Sequence, residues 1–124
     1  MKIIHELEEF SGSAAPVFLA AGCFDGLHIG HRAVIQVAID RARACGGKAW
    51  VFTFDPHPAK VLSPDHAPPL IFTIGQQLRR LQAMGVDGCI LQPFTFEFMK
   101  QEPAVFFDYL CNHIPELAGL SVGE

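Results

Sequence analysis

Positive charge is scarce in this 124-residue chain: nine Lys and Arg stand against thirteen Asp and Glu, a net charge of −4. Proteins that bind by neutralising nucleic-acid phosphates are normally basic, so nucleic acid is not the expected partner, a local basic patch aside. Long apolar runs are missing as well. The longest near the start, Val17 to Ala21, falls far short of the roughly 20 residues that cross a bilayer. The opening Met1-Lys2-Ile3-Ile4-His5-Glu6 holds no signal-peptide core. Cysteine is limited to Cys23, Cys45, Cys89 and Cys111, with no Cys-x-x-Cys pair. That spacing predicts reduced thiols in a cytosolic core, not a disulfide frame or a zinc ribbon. Serine occurs only at positions 11, 13, 63 and 121, none inside a Gly-x-Ser-x-Gly turn, which argues against a serine hydrolase. Neither Gly-x-x-x-x-Gly-Lys-Ser/Thr nor Gly-x-Gly-x-x-Gly is present. These absences exclude a P-loop protein and disfavour a dinucleotide-binding dehydrogenase. The expectation left standing is a cytoplasmic domain with no membrane association.

What is present suffices for a core: 50% of residues are apolar and 18% charged, a balance foreign to disordered tails. Pro16 to Phe24 is almost continuously apolar, the pattern of a strand buried on both faces of a parallel sheet. From Ile29 to Cys45 a helix is predicted, with Ile35, Ile39 and Ala42 in one stripe, Val34 and Ala38 beside it, and Gly46-Gly47 as its stop. Lys48 to Phe54 reads as the next strand, completing a βαβ unit. Five prolines between residues 55 and 72 argue against regular structure there. Thr73-x-x-Gln76 forms a capping box for a short helix with Leu78, Leu81 and Met84 inward and Gly85 as its end. Asp87 to Gln92 reads as a third strand. Pro103 opens another helix whose apolar side carries Phe106, Phe107, Leu110, Cys111 and Ile114. Leu120-Ser121-Val122 starts a fourth strand. The fold class is therefore α/β: a Rossmann-like open, mostly parallel sheet with flanking helices.

The densest polar cluster, Gly22-Cys23-Phe24-Asp25-Gly26-Leu27-His28-Ile29-Gly30-His31, follows the first of these strands. Open α/β sheets take their ligands at that edge. Gly22 and Gly26 permit a tight turn and close backbone approach, and Gly30 removes a side chain where a first helical turn would crowd a nucleotide. Free N–H groups at a helix N-terminus attract phosphate. His28 and His31, three apart, share one side of that turn. A cationic imidazole is unfavourable there unless an anion is present. With a polyphosphate between them, both rings can donate hydrogen bonds to oxygens whose charge grows in a transition state. In isolation, His-x-x-His also reads as one surface residue and one helix cap; the neighbouring glycines and Asp25 favour the phosphate site. A zinc reading from Cys23, His28 and His31, with Asp55 or His57, lacks a second paired-ligand motif.

The run from Gly22 to His31 resembles the HxGH nucleotidylyltransferase signature in the form Gly-x-Phe-Asp-Gly-x-His-x-Gly-His. In this form it is similar to the FAD synthetase (FMN adenylyltransferase) domain of bacterial bifunctional riboflavin kinase/FAD synthetases. Phe52-Thr53-Phe54-Asp55-Pro56-His57-Pro58 resembles the family's Phe-x-Pro-His-Pro strand end. Looser likenesses are the helix start at Thr73, Gly85-Val86-Asp87, Pro93-Phe94 with Phe98, and Val122-Gly123-Glu124.

The resemblance implies the reaction ATP + FMN → FAD + pyrophosphate, with Mg2+ accompanying ATP. It assigns His28 and His31 to catalysis at the ATP phosphates. Gly22, Phe24, Asp25, Gly26 and Gly30 would shape the nucleotide pocket, largely through backbone. Asp55, Pro56, His57 and Pro58 would line the flavin side. Pro56 and Pro58 read equally as strand terminators, and Asp25 as a helix cap. Phe94, Phe96 and Phe98 are expected in the core, with stacking on a flavin ring as the other reading.

In that family a Ser/Thr-rich nucleotide motif ending in Arg, and then a riboflavin kinase β-barrel, follow further along. Residues 1–124 are accordingly expected to be a partial FAD synthetase domain, incomplete at the C-terminus and without the kinase domain. Its sheet edge would be open to self-association, and its turnover alone poor. Two alternatives stay open: an HxGH nucleotidyltransferase with another phosphorylated acceptor, or a non-catalytic remnant that binds nucleotide or flavin.

Overall fold

The computed structural model describes residues 1–22, 24, 29–55, 65, 73–95 and 100–123. Five strands, β1 (Lys2–Ile4), β2 (Val17–Ala21), β3 (Lys48–Phe54), β4 (Gly88–Gln92) and β5 (Leu117–Val122), form one sheet in the order β1-β4-β3-β2-β5. Every neighbouring pair runs parallel. Among the described residues the helices are α1 (Ile29–Cys45), α2 (Ile74–Met84) and α3 (Pro103–His113), with a 3-10 turn, η1, at Leu7–Glu9.

The continuous apolar character of β2 and β3 follows from their central place, because both faces are covered. On one face Ala20, Val51 and Cys89 meet Ile35, Ile39 and Ala42 of α1 and Leu81 of α2. On the other, Leu19, Phe52 and Ile90 meet Leu110 of α3, Ile114 and Leu7 of η1. The expected α1 stripe and the inward Leu78, Leu81 and Met84 of α2 all belong to the first of these clusters. The capping box is complete. Gln76 donates its backbone N–H to Thr73 Oγ1 at 3.1 Å, and Thr73 N–H bonds Gln76 Oε1 at 2.9 Å. Gly85 ends α2 in the left-handed region, φ +100°.

Several expectations need correction. β2 stops at Ala21, not at Phe24; Gly22 leaves the strand with its N–H on Phe52 O at 3.0 Å. β1 was not foreseen: three residues are too short to show a period, and β1 exists through its register with residues 88–90. The last strand begins at Leu117 and pairs along β2. Phe107 does not pack inward; it is 48% exposed, because it lies a helical step away from Phe106 and only one of the two can face the sheet. Cys45 is exposed and Cys111 half-buried, so among the described cysteines only Cys89 is a core thiol. Most of residues 55–72, read as an irregular loop, lie outside the described residues.

Candidate functional site

Chain order explains where a site forms. From β2 the chain steps outward through α1, β3, α2 and β4, with both helices on one face. Then α3 crosses on the opposite face and β5 returns beside β2. The winding direction thus reverses between β2 and β5, and ligands of open α/β sheets settle at such reversals, outside the strands' carboxyl ends.

A cavity of about 400 Å3 lies there. Its walls come from the ends of β2 (Ala21, Gly22), β3 (Phe52, Phe54) and β5 (Val122, Gly123), and from α3 and its approach (Gln101, Pro103, Phe106), with Phe94. Four phenylalanines run through it edge to face. Ring centroids are 5.5 Å apart for Phe52–Phe54, 5.6 Å for Phe52–Phe106 and 5.1 Å for Phe54–Phe94. Apart from Gln101, the lining side chains are apolar. Such a wall suits a flat, largely apolar ring system, with polar groups left to its rim.

Beside this cavity, Gly22 and Gly123 clasp the ring of Phe24. A Cβ on Gly22 would lie 3.0 Å from the Phe24 ring, and one on Gly123 would lie 2.9 Å from it. The glycine after β2 therefore admits a core ring close against the backbone. Phe24 is 2% exposed, so its side chain belongs to the core. Its edge meets the ring of His31 at 5.5 Å and 77°. His31 lies in the first turn of α1, half-buried, with Nδ1 shielded from solvent. The Gly22–Phe24–His31 contact links the end of β2 to the start of α1, the positive end of the helix dipole.

Gly30 is within α1. Asp55 is exposed at the end of β3, its N–H bonded to Gln92 O at 3.1 Å across the sheet's carboxyl edge. Asp25, Gly26, His28, Pro56, His57 and Pro58 lie outside the described residues, as do Phe96 and Phe98. Phe94, expected in the core, is half-buried on the cavity wall. Sequence reading missed Phe52, Phe54, Pro103 and Phe106 as lining residues. The available signal was two phenylalanines two apart, hence on one strand face, at the carboxyl end of a central strand.

Comparison with known proteins identifies the chain's relatives. The FAD synthetase family model matches residues 11–124. A bifunctional riboflavin kinase/FMN adenylyltransferase from Listeria monocytogenes is 37% identical over 73% of this chain and 29% of its own length. That from Bacillus subtilis is 32% identical over 86% and 34%, and that from Escherichia coli K12 is 30% identical over 100% and 40%. The chain thus spans about a third of the length of these curated relatives. A crystal structure described as a macrolide-efflux protein from Streptococcus pneumoniae matches with a TM-score of 0.82 and 25% identity, over 98% of this chain and 46% of that one. Among the described residues, no helix is long and apolar enough to cross a membrane.

Proposed function

The chain belongs to the FAD synthetase family, and from that premise we propose that it carries the FMN adenylyltransferase site, which moves AMP from ATP to FMN and releases pyrophosphate. The observation that carries this reading is the phenylalanine-lined cavity at the winding reversal, beside the α1 turn that bears His31. A flavin ring is flat and largely apolar on its faces, and the cavity offers four aromatic edges and faces to it. An adenylate donor requires the opposite environment, and the α1 N-terminus supplies N–H groups and imidazole for its phosphates. An oxygen of the FMN phosphate attacks the α-phosphorus of ATP as the bond to the pyrophosphate oxygen breaks. No protein nucleophile is involved, so the chain's task is to hold the two substrates in line and to stabilise charge on the phosphoryl oxygens.

In this reading His28 and His31 grip the triphosphate. Nδ1 of His31 is shielded from solvent. Gly22, Asp25, Gly26 and Gly30 shape the nucleotide side, with Phe24 behind them as the support for His31. Asp55, Pro56, His57 and Pro58 rim the flavin side. Mg2+ accompanies the ATP phosphates, as it does where substrate oxygens supply most of its ligands. Among the described residues no group of three or more His, Cys, Asp or Glu gathers to hold a metal. The relatives' names join this activity to riboflavin kinase. A kinase unit that makes FMN is the partner this reading assigns, with the cytoplasm as the place of reaction.

The test is to incubate the chain with MgATP and FMN and to separate FAD and pyrophosphate. Equal amounts of both are expected, slowly formed, and absent in His28→Ala. Pyrophosphate release indifferent to FMN, or supported by phosphopantetheine or a sugar phosphate in its place, would overturn the assignment of the acceptor. Absence of both FMN and ATP binding would overturn the site.

A further inference from the structure

Buried polar side chains in a parallel sheet are unfavourable unless satisfied. Gln92, the last residue of β4, is 8% exposed. Its Oε1 accepts the N–H of Leu7 at 2.8 Å, and its side chain also hydrogen-bonds Tyr109 of α3. The Tyr109 hydroxyl donates in turn to Glu8 Oε1. Leu7 and Glu8 are consecutive in η1, so the bonds close a ring through β4, η1 and α3. His113, one turn further along α3, lies edge-on to the Tyr109 ring at 4.7 Å, with its Nδ1 3.0 Å from Tyr109 O. Burial, together with the Glu8 hydrogen bond, pushes the Tyr109 hydroxyl pKa up. The Tyr109 bond holds the Glu8 carboxyl below its ordinary value. Both directions belong to a hydroxyl that keeps its proton and a carboxylate that accepts it.

The position of this ring of bonds matters because α3 is anchored unevenly. Leu110 and Ile114, in and just after its second half, are 0% and 1% exposed. Its first turns carry Pro103 and Phe106 to the cavity, while Val105 and Phe107 are 50% and 48% exposed. Tyr109 stands one turn after Phe106 and on the same side. We propose that Tyr109 is a positioning residue: its bonds to Gln92 and Glu8 set the roll of α3 about its buried half, and so the place of Phe106 against Phe52 on the cavity wall. The inference rests on the reading that this cavity takes the flavin, and it concerns a residue that touches neither substrate.

Tyr109→Phe keeps the ring against His113 and removes the hydroxyl, and Glu8→Gln weakens the same bond from an exposed position. Each is expected to speed amide exchange at residues 106 and 107 while leaving α1 unchanged. Each should weaken FMN binding, followed by quenching of flavin fluorescence, about tenfold, or about 1.4 kcal/mol, with ATP affinity held. Asp87→Asn, which destabilises the opposite face, should alter neither readout. Unchanged exchange at 106 and 107 overturns the clamp whatever FMN does. Faster exchange with unchanged FMN affinity, or equal loss of ATP affinity, overturns the positioning role. Should the wild-type chain bind no FMN while Tyr109→Phe still loosens 106 and 107, the clamp stands and the flavin reading falls.

Discussion

Asp87 is one of the looser family likenesses, and its contacts show a structural use. It stands between α2 and β4, where Oδ2 accepts the Ala49 N–H at 2.8 Å and meets Arg43 Nη1 at 3.1 Å. Burial acts to raise its pKa, but the Ala49 N–H and the Arg43 guanidinium outweigh that and hold the carboxyl below its usual range. The folded chain thus binds this proton less tightly than the unfolded one. The resulting stabilisation is complete above the unfolded value of about 3.9 and is lost as pH falls through the lower folded value. Asp87→Ala is expected to lower stability by about 1–3 kcal/mol at neutral pH, chiefly by leaving the Ala49 N–H unmatched. Urea titrations should show the gap between variant and wild type narrowing as pH falls below the unfolded value of about 3.9; a gap constant with pH would contradict the account. The cysteines give a second expectation. Burial pushes the Cys89 thiol up to about 12, whereas Cys45 is exposed. Under native conditions maleimide should label Cys45 readily and Cys89 only at the rate of unfolding.

The elements that were legible are those whose signals are local. Thr73 and Gln76 are three residues apart and make both bonds of their box within one turn. Thr73→Ala should therefore destabilise the chain by about 0.5–2 kcal/mol and loosen the start of α2 before its end, read by amide exchange. Uniform loosening along α2 would count against the cap. The apolar stripe of α1 was legible for the same reason, since it repeats over 17 residues. β1 was illegible because three residues carry no period and its pairing partner lies more than eighty positions away. At α3 the adjacent Phe106 and Phe107 both satisfied an apolar count, and only packing reveals which faces the sheet. The network around Gln92 could not be read from sequence either, because its members come from three separated segments.

At the scale of the molecule, the winding reversal brings together groups that no single motif contains. The start of the glycine- and histidine-rich motif was legible because it follows directly on a recognisable strand. The facing wall was hidden, since Phe52, Phe94 and Phe106 lie far apart in the chain and each reads alone as core. α1 and α3 approach this edge from opposite faces of the sheet, so the proposed reading divides the site into a polar half on α1 and an aromatic half shared by β3 and α3. The two halves should then fail separately. Phe106→Ala removes one wall of the cavity and its edge-on contact with Phe52 at 5.6 Å. It is expected to weaken FMN about tenfold or more, given the area an aromatic side chain buries, with little change for ATP. His31→Ala removes an imidazole seated on Phe24 and should do the reverse, weakening ATP by a similar factor while FMN still binds. Calorimetric titration of each variant with each ligand, beside its melting temperature, reads the four affinities directly. Parallel loss of both ligands in both variants would mean that the halves are one site, and that the division between the two faces of the sheet has no functional counterpart.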